Sequence, residues 1–193
     1  MFEGRKAQAA IVAAFDELAL VHPTAQLVLI GATDNSYTRG VREQLRRSPH
    51  SNRIRIEPVV ADIYHWYACA DLLICASDIE SLPRSILEAM AFELPVVSTD
   101  AFGIADLIDD GRTGWLTRPR DLHGLLGRLH HVLLLSAEDR RTVGWAARRE
   151  VLRRAGNRAY GLKFGAALTR LLEDPDARLG DILDPPLDEE IDP

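Results

Sequence analysis

The fold is decided by residues 80–100, which read Glu80-Ser-Leu-Pro-Arg-Ser-Ile-Leu-Glu88-Ala-Met-Ala-Phe-Glu93-Leu-Pro-Val-Val-Ser-Thr-Asp100. Pro83 favours the first turn of a helix, because its fixed φ suits that position and its missing N–H would have no intrahelical partner there. Apolar side chains then recur at helical spacing, at Ile86, Leu87, Met90 and Ala91. The sequence therefore predicts a loop at Glu80, a helix that begins near Leu82 or Pro83, and a strand at residues 95–98.

Glu80 and Glu88 are the candidate functional side chains of this stretch. Glu80 would lie just before the helix, beside its first amide N–H groups, and Glu88 would project from the second turn. Free N–H groups and the positive end of the helix dipole favour a polyhydroxylated or anionic ligand. Two other interpretations remain open: a hydrolase acid/base pair, or two solvated acids of which Glu80 merely stabilises the dipole. A pair on one loop–helix unit would more naturally hold a ligand from one side than flank a scissile bond.

Strands and helices alternate along the first part of the chain. Helical stripes of apolar residues are expected at 5–20, 38–47, 63–70 and 104–108. Apolar or extended runs typical of strands lie at 27–31, 54–60, 71–77, 95–98 and 114–117. Repeated β-then-α units of this length predict an α/β fold with a doubly wound, Rossmann-like parallel sheet and right-handed crossovers.

The pattern becomes purely helical from residue 121. Helices are expected near residues 122–133, 137–154 and 158–173. The last stretch, residues 174–193, is rich in proline and acid, and we expect it to be a disordered tail. The sequence thus predicts one folded domain over residues 1–173, completed by C-terminal helices.

Composition excludes several classes of protein. A length of 193 residues allows one sizeable domain with its own core. A net charge of −6 argues against nucleic-acid binding, whose usual footprint is a basic face. Cys69 and Cys75 stand in apolar settings, which predicts buried thiols in a reducing compartment. The sequence contains neither a leader pattern nor an 18-residue apolar run, so we expect a cytoplasmic protein without a transmembrane segment.

Common cofactor motifs are absent from the sequence. Gly31 ends a predicted strand, but the second and third glycines of a dinucleotide-binding G-x-G-x-x-G are missing. No phosphate-binding G-x-x-x-x-G-K-[ST] occurs, and the six histidines never pair with acids or cysteines at a metal-ligand spacing. We therefore expect neither a metal nor a bound cofactor.

Four segments carry a family resemblance when they are taken together. Residues 66–77, 80–91, 94–100 and 102–116 read WYACADLLICAS, ESLPRSILEAMA, LPVVSTD and FGIADLIDDGRTGWL. In this combination the chain resembles the C-terminal half of family 4 retaining glycosyltransferases of the GT-B fold, whose signature is a Glu-x7-Glu segment that continues into a ProValVal strand. The resemblance covers residues 2–173. It implies that residues 1–173 are the nucleotide-sugar-binding domain of such an enzyme.

The resemblance also implies roles for individual residues. Glu88 corresponds to the carboxylate that holds the ribose hydroxyls, and Glu80 corresponds to the one that approaches the donor sugar, which makes it the candidate catalytic residue. The loop formed by Ser81, Leu82 and Pro83 would meet the sugar or the diphosphate. Residues 3–7, EGRKA, resemble the phosphate-binding segment of the family, which implies that Lys6 binds phosphate. Departure of a nucleoside diphosphate leaves negative charge, which Lys6 and the helix amides would stabilise without a metal.

Two positions depart from the family pattern. The loop that often reads Glu-Gly-Phe-Gly in the family reads Glu80-Ser-Leu-Pro here. Pro83 therefore removes one N–H and makes the loop stiffer. Arg84 could compensate as a phosphate or acceptor contact, or it could be an ordinary exposed helix residue. The family's phosphate-binding arginine has only Arg5 as a substitute.

A complete GT-B enzyme, as the resemblance implies, has a separate N-terminal acceptor domain that 193 residues do not accommodate. The first strand of the C-terminal domain itself is also expected to be missing from this chain. We therefore expect this chain to be the donor-binding domain of a retaining, hexosyl-transferring enzyme whose substrate is a nucleoside-diphosphate sugar. The chain would need an N-terminal GT-B domain or a complementary chain, and it would be inactive alone. Peripheral membrane contact would come through the missing half. The alternatives are a non-catalytic, truncated remnant or regulatory nucleotide-sugar-binding module, and a fragment of a sugar-nucleotide epimerase.

Overall fold

Five strands alternate with helices along residues 2–155, the part of the chain that this computed structural model describes. The strands are β1 (Leu27–Ala32), β2 (Ile54–Pro58), β3 (Leu73–Cys75), β4 (Val96–Thr99) and β5 (Trp115–Thr117). The helices are α1 (Gln8–Val21), α2 (Ser36–Arg47), α3 (Tyr64–Cys69), α4 (Arg84–Ala91), α5 (Leu122–Leu134) and α6 (Ala137–Ala155). Short 3-10 turns lie at Gly4–Lys6, Ser51–Arg53 and Phe102–Ile104.

Every strand pair in this part of the chain is parallel. β1 pairs with β2, with Leu27 opposite Ile54. β4 lies between β3 and β5, with Val97 opposite both Ile74 and Trp115. The predicted α/β fold with parallel strands is therefore confirmed.

The described strands form two hydrogen-bonded ladders, β1–β2 and β3–β4–β5, where the sequence predicted one sheet. Neighbouring strands must approach to about 4.8 Å to exchange backbone hydrogen bonds. β1 and β3 do not do so, because a cavity separates them. An alternating pattern of strands and helices predicts which residues are extended but not which strands become neighbours.

The core is apolar and joins α1, α5 and the strands. β4 is buried along its whole length. The largest contributors from the two helices are Ile11, Val12, Phe15, Leu18, Leu125, Leu129 and Val132. Each such side chain contributes about 1.5–3 kcal/mol when it is fully buried, so these helices hold the strand ends in place.

Two compact units divide the chain, residues 1–148 and residues 149–193. In the second, Glu150 accepts hydrogen bonds from Arg153 and Arg154, and these bonds lower the pKa of Glu150 to about 2. The helix predicted at residues 158–173, the domain boundary at residue 173 and the tail at residues 174–193 lie outside the described residues. No helix in the described part of the chain is both long and apolar enough to cross a bilayer.

Two local predictions are wrong. The helix expected at residues 104–108 is a 3-10 turn, Phe102–Ile104, followed by a single turn in which the Ile108 N–H donates to the Ile104 carbonyl. The left-handed φ of 45° at Phe102 prevents a regular helix from beginning before Gly103, and the segment then ends after one turn. Cys69 is exposed instead of buried, because it ends a helix at the protein surface, and Cys75 is only partly buried.

Candidate functional site

The candidate site lies beyond the carboxyl end of β3, in the loop that leads into α4. Ligand sites of open parallel sheets usually lie at this end of the strands. α4 begins at Arg84, within the usual spread of one or two residues from the predicted start. Pro83 is its N-cap and is buried, and its carbonyl accepts hydrogen bonds from the N–H groups of Ile86 and Leu87 at 3.0 Å and 3.3 Å.

Glu80 is held by two cations from the N-terminal segment. The Lys6 Nζ lies 3.4 Å from Glu80 Oε2, and Arg5 Nη1 donates to the same oxygen at 3.2 Å. The Asp78 N–H donates to the Arg5 carbonyl at 2.6 Å, which fixes the segment beside the loop. Only 13% of the Glu80 side chain is exposed. The structure thus brings together Lys6 and Glu80, which the family resemblance assigned to one site. Arg5 contacts the same oxygen of Glu80 as Lys6 does.

Ala7 connects the Lys6 turn to α1 in a strained conformation. Its φ and ψ are 53° and 34°, in the left-handed region. This conformation costs a residue with a side chain about 1–2 kcal/mol relative to the right-handed one. Backbone strain of this kind tends to occur where function fixes the chain, and here the turn directs Lys6 towards Glu80.

Glu88 is oriented by a tyrosine from α3. The Tyr67 hydroxyl donates to Glu88 Oε2 at 3.1 Å, while Arg84 Nη2 lies 3.4 Å from Oε1. Burial, with the nearby charge of Glu88, raises the pKa of Tyr67 far above its ordinary value, so the phenol stays a neutral donor. The Arg84 contact contributes little, because 85% of that side chain is exposed.

Tyr67 is a residue that sequence reasoning missed. It lies within the quoted segment WYACADLLICAS, but no spacing rule connects residue 67 with residue 88. Its ring also contacts Phe92, with ring centroids 5.8 Å apart, and Phe92 stacks on Tyr64 at 5.7 Å. A patch of aromatic faces therefore lies next to Glu88.

The loop after β4 supports the loop after β3. The Gly103 N–H donates to the Glu80 carbonyl at 3.2 Å. A Cβ at residue 103 would lie only 1.9 Å from the Ser81 carbonyl oxygen, so this close approach requires glycine. Ser81 and Leu82, two of the predicted ligand contacts, are exposed at the tip of the supported loop.

The arrangement combines groups for an anion with groups for hydroxyls. Lys6, Arg5 and the first N–H groups of α4, which have no intrahelical acceptor, supply positive charge and donors. Glu80 and Glu88 supply acceptors. Residues 2–155 contain no group of three or more histidine, cysteine, aspartate or glutamate side chains that could hold a metal ion.

Comparisons with known proteins identify the family of the chain. The sequence pattern of the family described as glycosyl transferases group 1 matches residues 1–134. Sulfoquinovosyl transferase SQD2 from Arabidopsis thaliana is 40% identical over 87 residues, which cover 44% of this chain and 17% of that protein.

Solved structures share the fold. HepE from Anabaena, solved in complex with UDP, superposes with a TM-score of 0.80 and 24% identity, over 88% of this chain and 46% of HepE. The C-terminal domain of LpcC, a glycosyl transferase group 1 family protein from Francisella tularensis, superposes with a TM-score of 0.70 and 22% identity, over 78% of this chain and 80% of that domain. The fold therefore matches that of GT-B glycosyltransferases, and the matched part is less than half of SQD2 and of HepE.

Proposed function

Because this chain belongs to the glycosyl transferases group 1 family, we propose that it is the C-terminal, donor-binding domain of a retaining glycosyltransferase of family 4. Its substrate is a nucleoside-diphosphate sugar, from which a hexosyl group is transferred to an acceptor. The observation that carries this proposal is the convergence of Lys6 and Arg5 on Glu80, with Glu88 one helix turn into α4.

The nucleoside end of the donor binds at Glu88. Its carboxylate, oriented by Tyr67, accepts hydrogen bonds from the ribose hydroxyls. The exposed aromatic faces of Tyr64 and Phe92 lie close enough to contact the nucleoside. The complexes of HepE with UDP and with UDP-glucose support a nucleotide-sugar ligand for this fold.

The diphosphate binds between Lys6 and the start of α4. Charge-assisted hydrogen bonds to phosphate are shorter and stronger than neutral ones, so an arriving diphosphate competes with Glu80 for Lys6 and Arg5. The amides of Ser81 and Leu82 and the first turn at Arg84 face the same ligand. When the bond between the sugar and the diphosphate breaks, these fixed cations and dipoles stabilise the charge that remains on the phosphate.

Release of Lys6 and Arg5 to the diphosphate leaves the Glu80 carboxylate free to contact the donor sugar. It is the catalytic residue of the proposal, because it lies in the loop between β3 and α4, beside the cations that meet the leaving group. No metal or other cofactor takes part, since Lys6 and the α4 amides meet the charge that a metal would otherwise neutralise.

The acceptor binds to a second domain. The likeness to the isolated C-terminal domain of LpcC, over 80% of that domain, supports this division of the enzyme. An N-terminal GT-B domain or a complementary chain supplies the acceptor site, and the chain alone has no turnover. The complete enzyme works in the cytoplasm, where nucleotide sugars are its donors.

Calorimetric titration tests the proposal. UDP-, GDP- and ADP-sugars are titrated into the wild type, Glu88→Ala and the control Glu43→Ala, which changes a carboxylate on the exposed face of α2. We expect at least one donor to bind the wild type and Glu43→Ala equally, and to bind Glu88→Ala at least about tenfold more weakly, as for loss of a charged hydrogen bond. Failure of the wild type to bind any of the three would overturn the proposal.

A further inference from the structure

Asp78 connects the Glu80 loop to two other parts of the chain. It lies in the loop after β3, just before Glu80. Its N–H donates to the Arg5 carbonyl at 2.6 Å, and its Oδ2 accepts a hydrogen bond from Arg120 Nε at 3.0 Å. The first contact holds the segment that carries Lys6, and the second reaches the turn after β5. Asp78 therefore joins the cations of the site to a turn that the proposed function does not use.

The side chain of Asp78 is oriented by Arg120. It is 18% exposed, and its Oδ1 is buried without a hydrogen-bond partner among residues 2–155. Buried polar atoms normally have such a partner, so this carboxylate does not gain stability from its burial. The orientation of the carboxylate, and with it the loop backbone at residue 78, therefore depends on the contact with Arg120.

Arg120 adopts a backbone conformation that suits glycine. It lies in the turn between β5 and α5, and its φ of 64° is in the left-handed region, which is costly for a residue with a side chain. Its side chain is 81% exposed, so the ion pair with Asp78 contributes little to stability. Stability alone would therefore favour glycine at residue 120. Strain of this kind tends to occur where function fixes the chain.

Backbone strain is concentrated around the Glu80 loop. Four non-glycine residues within residues 2–155 have a left-handed φ, and three of them belong to segments that contact this loop. These three are Ala7 at the end of the N-terminal turn, Phe102 in the loop after β4, and Arg120 in the turn after β5. The fourth, Glu93, lies at the opposite end of α4. Each of the three segments that support the loop thus contains one strained residue.

We propose that Asp78 and Arg120 form a clamp that positions the Glu80 loop for the donor. Arg120 orients the Asp78 carboxylate. The Asp78 backbone then holds the Arg5 carbonyl, so that both cations of the N-terminal segment stay beside Glu80. Asp78 and Arg120 are positioning residues and do not contact the donor themselves. The clamp rests on the proposed function and extends it to the turn after β5.

The clamp acts on the diphosphate end of the donor. Glu88, which meets the nucleoside under the proposed function, is oriented by Tyr67 and not by Arg120. Loss of the clamp lowers the fraction of molecules in which the loop and its cations have the binding geometry, and the apparent affinity falls by the same factor. A fraction of about one third to one tenth corresponds to about a three- to tenfold loss of affinity.

Arg120→Gly tests the clamp, because glycine removes the ion pair and the strain together. Glu93→Gly is the matched control, since Glu93 also has a left-handed φ, of 60°, and a partly exposed ion pair, with Arg148. UDP-, GDP- and ADP-glucose and the corresponding nucleosides are titrated calorimetrically. For the donor that the wild type binds best, we expect Arg120→Gly to bind about three- to tenfold more weakly and Glu93→Gly to bind equally.

Three further measurements separate positioning from a general effect on the fold. Affinity for the nucleoside should be unchanged in both glycine variants, and both should melt at or above the wild-type temperature, because strain relief offsets the lost ion pair. Amide exchange of residues 78–82 should accelerate at least about threefold in Arg120→Gly and stay unchanged in Glu93→Gly. Arg120→Lys, which keeps a charge, should bind the donor more tightly than Arg120→Gly does.

Asp78→Ala removes the other half of the clamp and leaves the residue at position 120 unchanged. We expect the same loss of donor affinity as in Arg120→Gly. The double variant should bind no more weakly than either single variant, because the two residues act as one unit. Additive losses would show that they act separately and would contradict the clamp.

Equal donor affinity of the wild type and Arg120→Gly would overturn the clamp and leave the proposed function standing. An equal loss of affinity for the donor and for the nucleoside would also overturn the clamp, because it would reflect a general weakening of the fold. If the wild type binds none of the three donors, the clamp and the proposed function are both wrong.

Discussion

The Tyr67 hydroxyl lies 3.1 Å from Oε2 of Glu88, so a buried neutral donor on α3 sets the direction of a carboxylate on α4. The two residues lie in different helices, and their contact depends on how α3 and α4 pack. Arg84 lies 3.4 Å from the other oxygen, Oε1, but its side chain is 85% exposed, so it offsets the charge of Glu88 only weakly. Tyr67 orients Glu88 and leaves its negative charge available to ligand hydroxyls.

Tyr67→Phe removes this donor and keeps the ring. We expect nucleoside-diphosphate sugars to bind about three- to tenfold more weakly, because a Glu88 carboxylate that is no longer oriented loses part of its hydrogen bonding to the ligand, about 0.5–1.5 kcal/mol. Calorimetry measures the affinity, and thermal unfolding checks that the fold is intact. Tyr64→Phe is the matched control, since the Tyr64 ring is half-exposed and stacks on Phe92. Unchanged affinity in Tyr67→Phe would show that Glu88 needs no positioning.

Lys6→Met removes a charge and keeps the length of the side chain. We expect about a 10- to 100-fold loss of affinity for a nucleoside diphosphate, since a hydrogen bond to a charged group contributes about 1.5–3 kcal/mol. Binding of the corresponding nucleoside, which has no phosphate, should hardly change. Arg39→Met, on the exposed face of α2, is the control. An equal loss of affinity for the nucleoside and for the nucleoside diphosphate would show that Lys6 does not bind the phosphates.

Gly103→Ala places a Cβ 1.9 Å from the Ser81 carbonyl oxygen, so the Glu80 loop must shift. We expect the free energy of unfolding to fall by about 1–3 kcal/mol and binding of the donor to weaken further than stability alone explains. Denaturant unfolding and calorimetry measure the two effects. In Gly127→Ala the new Cβ of α5 meets no atom within 4 Å, and stability should rise.

Ala7→Gly relieves a left-handed φ of 53°. We expect the free energy of unfolding to rise by about 1 kcal/mol, because glycine adopts this region without steric cost. The same substitution at Ala13, inside α1, should lower it by about 0.5–1 kcal/mol. Denaturant unfolding of both variants distinguishes strain relief from a general effect of glycine, and a loss of stability in both would contradict the strained turn.

His22 makes stability depend on pH. Its Nε2 lies 2.9 Å from His130 Nδ1, and burial together with His130 lowers the pKa of His22. The unfolded chain therefore takes up this proton more readily, so the contribution to stability is complete above a pH of about 6.5 and is lost as the pH falls. We expect His22→Gln to flatten the fall in melting temperature between about pH 7 and about pH 5. His123→Gln, at an exposed position, should leave the profile unchanged.

The local features of the fold could be predicted because each has a local cause. Pro83 and the helical spacing that follows it predict α4, and the apolar runs predict β1 and β4. The Phe102–Ile104 turn was missed, because its apolar spacing resembles a helix while the backbone at Phe102 is left-handed. Periodicity reports which side chains are apolar and does not report φ.

The site depends on contacts that no pattern encodes. The placement of Lys6 and Glu80 in one site was expected only through a family resemblance, since nothing local connects the two residues. The contact of Tyr67 with Glu88 and the close approach of Gly103 to Ser81 arise from packing between elements distant in sequence. For the same reason the division of the strands into two ladders was not predicted.

The edges of β1 and β3 that no strand within residues 2–155 covers also affect how the chain behaves in concentrated solution. An open strand edge is a template for aggregation, and proteins usually protect it with lysine, proline or a bulge. On these edges β1 reads LVLIGA and β3 reads LIC, without a charge or a proline in either. We therefore expect the chain to associate through these edges as its concentration rises, which light scattering over a dilution series would detect.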